Sequence, residues 1–247
     1  MKLEINDRAA LAIKNNTKRV EIRANTGKKD YSKLKENDII EFKSNNLGVF
    51  YVKVKEINHY DTIEELLTLE GTRYTTSSTN DYNEAIKSIN SLTGYKEAIS
   101  KSGVYAIHIE YLYSENTVWD ELYEKAKSVM NPREVSGLIN AGQVGAAILT
   151  KNHNIYTGVC IDTASTLGMC AERNAIANMI TKKEKEIIKL VCIDSKNKVG
   201  SPCGACREYL MQLDKNSKNI EILKNIKTKE TVKLEKLIPD WWAYDRV

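Results

Sequence analysis

Cys170-Ala171-Glu172 and Pro202-Cys203-Gly204-Ala205-Cys206 bring three thiols and a carboxylate together in two short segments. Thiolates at a Cys-x-x-Cys spacing, with a third cysteine elsewhere, form the donor set that zinc takes in proteins. Three sulfur ligands leave the fourth tetrahedral position for water, which separates a catalytic site from a closed structural one. Glu172, two residues past Cys170, is placed to take a proton from that water and hand protons on to a reacting molecule. The competing readings are a structural zinc and an ordinary paired helix glutamate. Three thiolates on a dication leave one net negative charge, so a nearby cation should offset it. Arg173 is the first candidate for a guanidinium against a sulfur and Arg207 the second, with surface salt-bridge arginines as the alternative. The remaining cysteines, Cys160 and Cys192, fall in strand-like runs and are expected as small core residues rather than ligands.

These groups need elements to hold them. AERNAIANMI at 171–180 and CREYLMQL at 206–213 have helical patterns, so both cysteine segments fall at helix N-termini, where unpaired N–H groups and the helix dipole favour thiolate. QVGAAILT at 143–150 and NIYTGVCI at 154–161 predict a hairpin, and IIKLVCID at 187–194, IEIL at 220–223 and TVKL at 231–234 predict three further strands. Interleaved strands and helices imply a layered α/β sheet with helices on both faces. Before it, Trp119, Leu122, Tyr123, Ala126 and Val129 recur at helical steps within 114–140. From residue 1 to 113 the pattern is different: VEIR at 20–23, DIIEF at 38–42, GVFYVKVKEI at 48–57 and GVYAIHIEYL at 103–112 alternate like half-buried strands. TIEELLTLE at 62–70 has a helical period, and GTRYTTSSTNDY at 71–82 is a loop. The expectation is two domains, 1–113 and 114–247, the first a small β-barrel with accessory helices.

Composition sets the class. With 247 residues, 42% hydrophobic and 28% charged, the chain has enough apolar material for two cores. A formal charge of +4 is too small and dispersed to argue for nucleic acid. No apolar run approaches the roughly 18 residues of a membrane span, and five cysteines clustered in the second half suit a metal site in a reducing compartment, so a cytoplasmic protein is expected.

The second half resembles the cytidine deaminase family, through VGAAILTKNHNIYTG at 144–158, CAERNAI at 170–176 and SPCGACREYL at 201–210. The resemblance implies an α/β/α sandwich on a five-stranded mixed sheet. It also implies Zn²⁺ on Cys170, Cys203 and Cys206, Glu172 as proton shuttle, Ala171 offering its backbone to a bound pyrimidine, and a homo-oligomer, dimer or tetramer. The substrate class is a nucleoside, cytidine or deoxycytidine, losing its exocyclic amine as ammonia. One departure bears on this: nucleoside-specific members carry Asn-x-Glu where this chain has Cys160-Ile161-Asp162, so Asp162 keeps a hydroxyl acceptor without its amide partner. The aromatic ending from Leu237 on, with Trp241, Trp242 and Tyr244, resembles the blasticidin-S deaminase branch, which gives a modified aminopyrimidine nucleoside as the second substrate reading. The first half resembles an ASCH domain, a small barrel related to RNA-associated PUA domains, through TKRVEIR at 17–23, YSKLKENDIIEF at 31–42 and GVYAIHIEY at 103–111. That resemblance suggests RNA as a partner, with Lys18, Glu21 and Arg23 at its motif positions. Solvated charges on an edge strand are the alternative for those three. A third function follows from it, an RNA-binding protein with a non-catalytic deaminase fold, against which the intact Glu172 counts.

Overall fold

The computed structural model describes residues 1–27 and 29–246. They divide into two compact units, Met1–Asn116 and Thr117–Val247.

The first unit runs β1 (Lys2–Glu4), α1 (Asp7–Lys14), β2 (Val20–Arg23), β3 (Ile39–Ser44), β4 (Gly48–Tyr60), α2 (Ile63–Glu70), α3 (Tyr82–Asn90), α4 (Tyr95–Ser102) and β5 (Val104–Ser114). Its five-stranded sheet has the order β1-β3-β4-β5-β2, parallel between β1 and β3 and antiparallel elsewhere. Side chains alternate across it. Tyr105, Ile107 and Ile109 of β5 pack with Phe42 and Phe50 on one face, while Val104 and Ala106 pack with Leu66, Leu67, Ala85 and Ile99 on the other. Both faces are therefore covered, which is why the β5 sequence is apolar almost without a break. β1 and β2 are the ends of the strand path, and no pairing between them closes the sheet among the described residues, so the expected barrel is not closed by hydrogen bonds.

Three helices of this unit, α1, α3 and α4, were not expected from the sequence. Each buries only two or three small or aliphatic residues on a mostly polar helix, so the apolar stripe is short. α3 is stopped at its start by Asp81, whose carboxylate accepts from the Glu84 N–H as an N-cap. The motif charges at the start of β2 are not solvated. Lys18 and Glu21 are buried, Glu21 pairs with Lys18 at 3.4 Å and with Arg23 at 2.8 Å, and Lys18 Nζ also donates to the carbonyls of Val20 and Thr75. Burial pulls the Lys18 ammonium below its ordinary pKa, against the charge of Glu21.

The second unit runs α5 (Val118–Ser128), β6 (Arg133–Ser136), β7 (Ile139–Thr150), β8 (Ile155–Thr163), α6 (Ala171–Thr181), β9 (Ile187–Ile193), α7 (Gly204–Met211), β10 (Glu221–Asn225), β11 (Glu230–Lys233) and α8 (Leu234–Leu237). β7 is central: β8 and the short β6 pair with it antiparallel, and β9 joins it antiparallel. β10 is parallel to β9, and β11 closes the edge antiparallel to β10. The sheet is mixed, with six strands rather than the expected five. The extra strand, β6, lies inside the 114–140 stretch that reads as helical in the sequence. That helix ends at Ser128, and all four β6 residues are exposed, so no apolar pattern marks the strand.

Two glycines set the layers on either side of β7 and β8. A Cβ at Gly145 would come within 2.2 Å of the Ala126 carbonyl oxygen on α5, and one at Gly158 within 2.4 Å of the Ala175 nitrogen and 2.5 Å of the Ala171 oxygen on α6. Gly145 is paired with Val159 and Gly158 with Ala146, so by the alternation of a strand they face opposite sides of the sheet. α5 thus covers one face and α6 the other, where Ile148, Ile176, Met179, Leu190 and Leu210 form the core with Trp241. Trp241 is buried and donates Nε1–H to Glu208 on α7 at 2.8 Å. The C-terminal aromatics accordingly pack on the domain, with Trp242 also bonded to Glu208 at 3.1 Å.

The Gly158 contact makes a stability prediction. Gly158→Ala should cost about 1–3 kcal/mol of stability, as overpacking does, read as a lower urea midpoint, whereas Gly137→Ala, with nothing within 4 Å of its Cβ, should leave the midpoint nearly unchanged.

Candidate metal centre

Cys170 and Cys203 occupy the N-cap positions of α6 and α7, with extended backbones (φ −64°, ψ 154° and φ −67°, ψ 170°). Cys170 makes no side-chain capping hydrogen bond, and its sulfur meets that of Cys203 instead. Cys206 follows in the first turn of α7 and is fully buried. The Sγ atoms of Cys170 and Cys203 are 3.6 Å apart, those of Cys203 and Cys206 are 3.5 Å apart, and all three lie within 4.8 Å of one another. Two sulfurs on one tetrahedral zinc, each at about 2.3 Å, are about 3.8 Å apart. The donor type and the spacing therefore both fit zinc.

Charge leads to the same conclusion. Burial raises the Cys170 thiol above its ordinary pKa, and its hydrogen bond to Cys203 adds to the rise. Burial also pushes Cys206 up, followed by the negative charge of Glu172. Cys203 alone is lowered: burial opposes, but hydrogen bonds with the Cys206 N–H, the thiols of Cys206 and Cys170, and the Ala205 N–H together outweigh it. Two thiols that resist ionising beside a third that ionises more readily become thiolates together only when a dication joins them.

Glu172 is buried at 5% exposure in the first turn of α6 and forms part of the wall of a pocket of about 620 Å³ together with Cys170 and Cys203. Ala171 and Asp162 line the same pocket, Ala171 fully buried and Asp162 exposed. Gln143, Thr163, Thr166, Asp194 and Ser201 supply further polar wall, and Val144, Ile161, Met169 and Ile193 the apolar part. The size and the mixture suit a small molecule with both polar and apolar parts.

The arginines do something other than expected. Arg173 Nη2 donates to the Gly168 carbonyl at 3.3 Å, and its Nε is buried without a hydrogen-bond partner. Arg207 donates Nε–H to Pro202 O at 2.8 Å and Nη1–H to Leu237 O at 2.9 Å. Both guanidiniums hold main chain beside the cysteines, the loop before α6 and the Pro202 turn before α7, rather than hydrogen-bonding a sulfur. Carbonyls left over at loops are strong acceptors, and sequence adjacency to a cysteine does not decide which acceptor a long side chain reaches.

Cys160 and Cys192 are buried, as expected of core residues, yet both also face the pocket. Cys160 Sγ accepts from the Val144 N–H at 3.2 Å and lies 3.8 Å from Asp162 Oδ2. Cys192 donates to Gly200 O at 3.1 Å. Burial raises its thiol, and the charge of Glu172 beside it and a hydrogen bond to that carboxylate add to the rise. Two residues not singled out in the sequence fasten α6 to β8: Asn174 Nδ2 donates to Val159 O at 2.7 Å and Asn178 Nδ2 to Thr157 O at 2.8 Å. Their four-residue spacing on one helix face was the available signal.

A family profile described as "Cytidine and deoxycytidylate deaminase zinc-binding region" matches residues 119–220. The cytidine deaminase of Mycoplasma genitalium is 30% identical over 95 residues, covering 38% of this chain and 73% of that protein. That of Mycoplasma pneumoniae is 41% identical over 70 residues, covering 27% and 53%. The blasticidin-S deaminase of Bacillus cereus is 34% identical over 80 residues, covering 29% and 57%. Among solved structures, the cytidine deaminase from Mycobacterium tuberculosis aligns with 50% of this chain and 96% of that one, at 25% identity and a TM-score of 0.43.

The three-sulfur cluster predicts about one zinc per chain in protein purified without chelators. Elemental analysis should find Cys203→Ala depleted of zinc and Cys192→Ala fully loaded. Equal loading of the two variants would remove Cys203 from the ligand set.

Proposed function

The chain belongs to the cytidine deaminase family, and from this membership we propose that it hydrolyses the exocyclic amine of a cytosine-type ring in a free nucleoside, cytidine or deoxycytidine, releasing ammonia. The observation that carries the reading is the buried carboxylate of Glu172 in the pocket wall beside the three-thiol cluster, since a structural zinc has no use for a proton carrier there.

In this reading Cys170, Cys203 and Cys206 hold Zn²⁺ as thiolates. The metal, when bound, supplies Lewis-acid polarisation of water and brings its pKa towards neutrality. Glu172 takes a proton from the attacking water on a carboxylate oxygen and delivers it to the ring nitrogen next to the amine-bearing carbon. A second proton passes through the same carboxylate to the departing amine, so that one water is consumed, a carbonyl forms and one ammonia leaves. Ala171 presents its backbone to the ring. Arg173 and Arg207 act as positioning residues by fixing the turns before α6 and α7.

A second reading, a modified aminopyrimidine nucleoside such as blasticidin-S, is favoured by Cys160. Its sulfur stands where nucleoside-specific members carry an amide and is already engaged by the Val144 N–H, which leaves Asp162 as the exposed acceptor on that wall. A homo-oligomer is supported by Leu138 and Leu167, exposed at 70% and 81% near the pocket rim, where Ala164 N–H bonds Leu138 O. For the first unit, Lys18 and Arg23 converge on Glu21, and the buried pairing of these charges argues against their touching RNA.

Ammonia release scored across cytosine, cytidine, deoxycytidine, their nucleotides and blasticidin-S tests the reading; inertness towards all of them by zinc-loaded protein would overturn it. Glu172→Gln should keep its zinc and lose at least about a hundredfold in kcat, the usual cost of removing a general acid–base group.

A further inference from the structure

The first unit contains a pocket of about 580 Å³ whose wall holds Arg19, Arg73, Tyr74 and the loop 76–80, and no carboxylate. Its frame is tied down from below. The N–H groups of Arg19 and Val20 both donate to Tyr74 O, at 2.8 and 3.0 Å, and buried Lys18 donates to Thr75 O. The loop is then stitched to itself: Thr72 Oγ1 donates to Asn80 O at 2.7 Å, Thr75 Oγ1 to Gly71 O at 2.6 Å, and Thr76 Oγ1 to Thr79 O. The hydroxyls of Ser77 and Ser78 take no part in this stitching.

Both guanidiniums lie over one ring, Arg19 at 4.6 Å and Arg73 at 5.1 Å from the Tyr74 centroid, which fixes two long side chains that would otherwise sweep through solvent. Arg19 Nε also donates to Asn16 O at 3.3 Å. Neither arginine has an ion-pair partner among the described residues. Glu21 on the adjoining strand is shared by Lys18 and Arg23, and Glu84, the acid that reaches the loop, accepts from Thr79 Oγ1 at 2.7 Å. Two pre-positioned cations with spare hydroxyls and no counter-charge match an anion with several oxygens. Guanidinium forks meet phosphate oxygens two at a time, and a terminal phosphate with close to two negative charges answers both arginines, where a carboxylate answers one. The volume exceeds that of a phosphate group and leaves room for the organic part of an ester.

We propose that this pocket binds the terminal phosphate of a small phosphomonoester, held by Arg19 and Arg73 with Ser77 and Ser78. The test uses the full chain and probes that lack cytosine, so that the zinc unit does not contribute: inorganic phosphate, ribose 5-phosphate and, as control, ribose, by calorimetric titration at low ionic strength. Saturable binding of ribose 5-phosphate at one per chain is expected, with none of ribose. Equal affinity for phosphate and ribose 5-phosphate identifies the anion alone as the ligand, and tighter binding of the ester identifies the ester. Arg19→Ala and Arg73→Ala should each weaken binding at least about tenfold, as loss of charge-assisted hydrogen bonds does. Ser78→Glu, at an exposed loop position, should do the same while both arginines remain. Absence of saturable binding by phosphate and ester, or binding indifferent to all three substitutions, overturns the proposal. So does binding of single-stranded RNA whose affinity grows with length and which ribose 5-phosphate does not displace.

Discussion

The thiols of Cys170, Cys203 and Cys206 and the carboxylate of Glu172 crowd into one partly buried space, and the neighbouring arginines spend their donors on carbonyls. Four acidic groups that receive no arginine hydrogen bond among the described residues repel one another once ionised, and burial removes the water that would screen them. A dication converts this repulsion into coordination, and so the architecture around it must deliver three sulfurs from two helix starts to within a few ångströms. Several close contacts of the second unit lie behind the cluster and meet that requirement. Gly158 lets α6 approach β8, Asn174 and Asn178 hold it there, and Arg207 fastens the turn before α7 to α8. None of these side chains belongs to the metal set, yet each limits how far one sulfur can drift from the others.

What was legible in the sequence was what is local. Cys170-Ala171-Glu172 and the Pro202–Cys206 segment each combine a helix start with its ligands inside a few residues, so spacing alone conveys both the element and the chemistry. The long strands β7 and β9 were equally readable, because burial on both faces writes continuous apolar runs. Illegible features depended on partners far along the chain. Arg207 takes its acceptors from Pro202 and Leu237, and the second of these has no signature near Arg207. β6 is solvent-facing throughout and shows no alternation, while α3 and α4 bury so little that their polar majority masks the helical period. Lys18 and Glu21 show the same limit from the other side: charges at the start of an edge strand suggest water, and only the approach of the 71–80 loop encloses them.

The pocket beside the metal cluster is unusually rich in sulfur. Cys160 and Cys192 were expected as inert core, and in volume they are, but each also presents a thiol to the cavity. Cys160 engages the Val144 main-chain amide with a soft acceptor, and the exposed carboxylate of Asp162 stands beside it on the same wall. Cys192 lies beside Glu172 and gives its S–H to the Gly200 carbonyl, so its thiol stays neutral next to that carboxylate.

Glu208 accepts the indole N–H groups of both Trp241 and Trp242, 33 and 34 residues further along the chain, and Trp241 with Ala243 fills the core under α6 and α7. Translation delivers the chain in order, so α7 with two of its thiols leaves the ribosome well before the residues that seat it. For that interval the helix start bearing Cys203 and Cys206 lacks part of its support. A nascent chain stalled short of Trp241 would therefore carry α7 without the core contacts of Trp241 and Ala243 and without the two indole donors to Glu208.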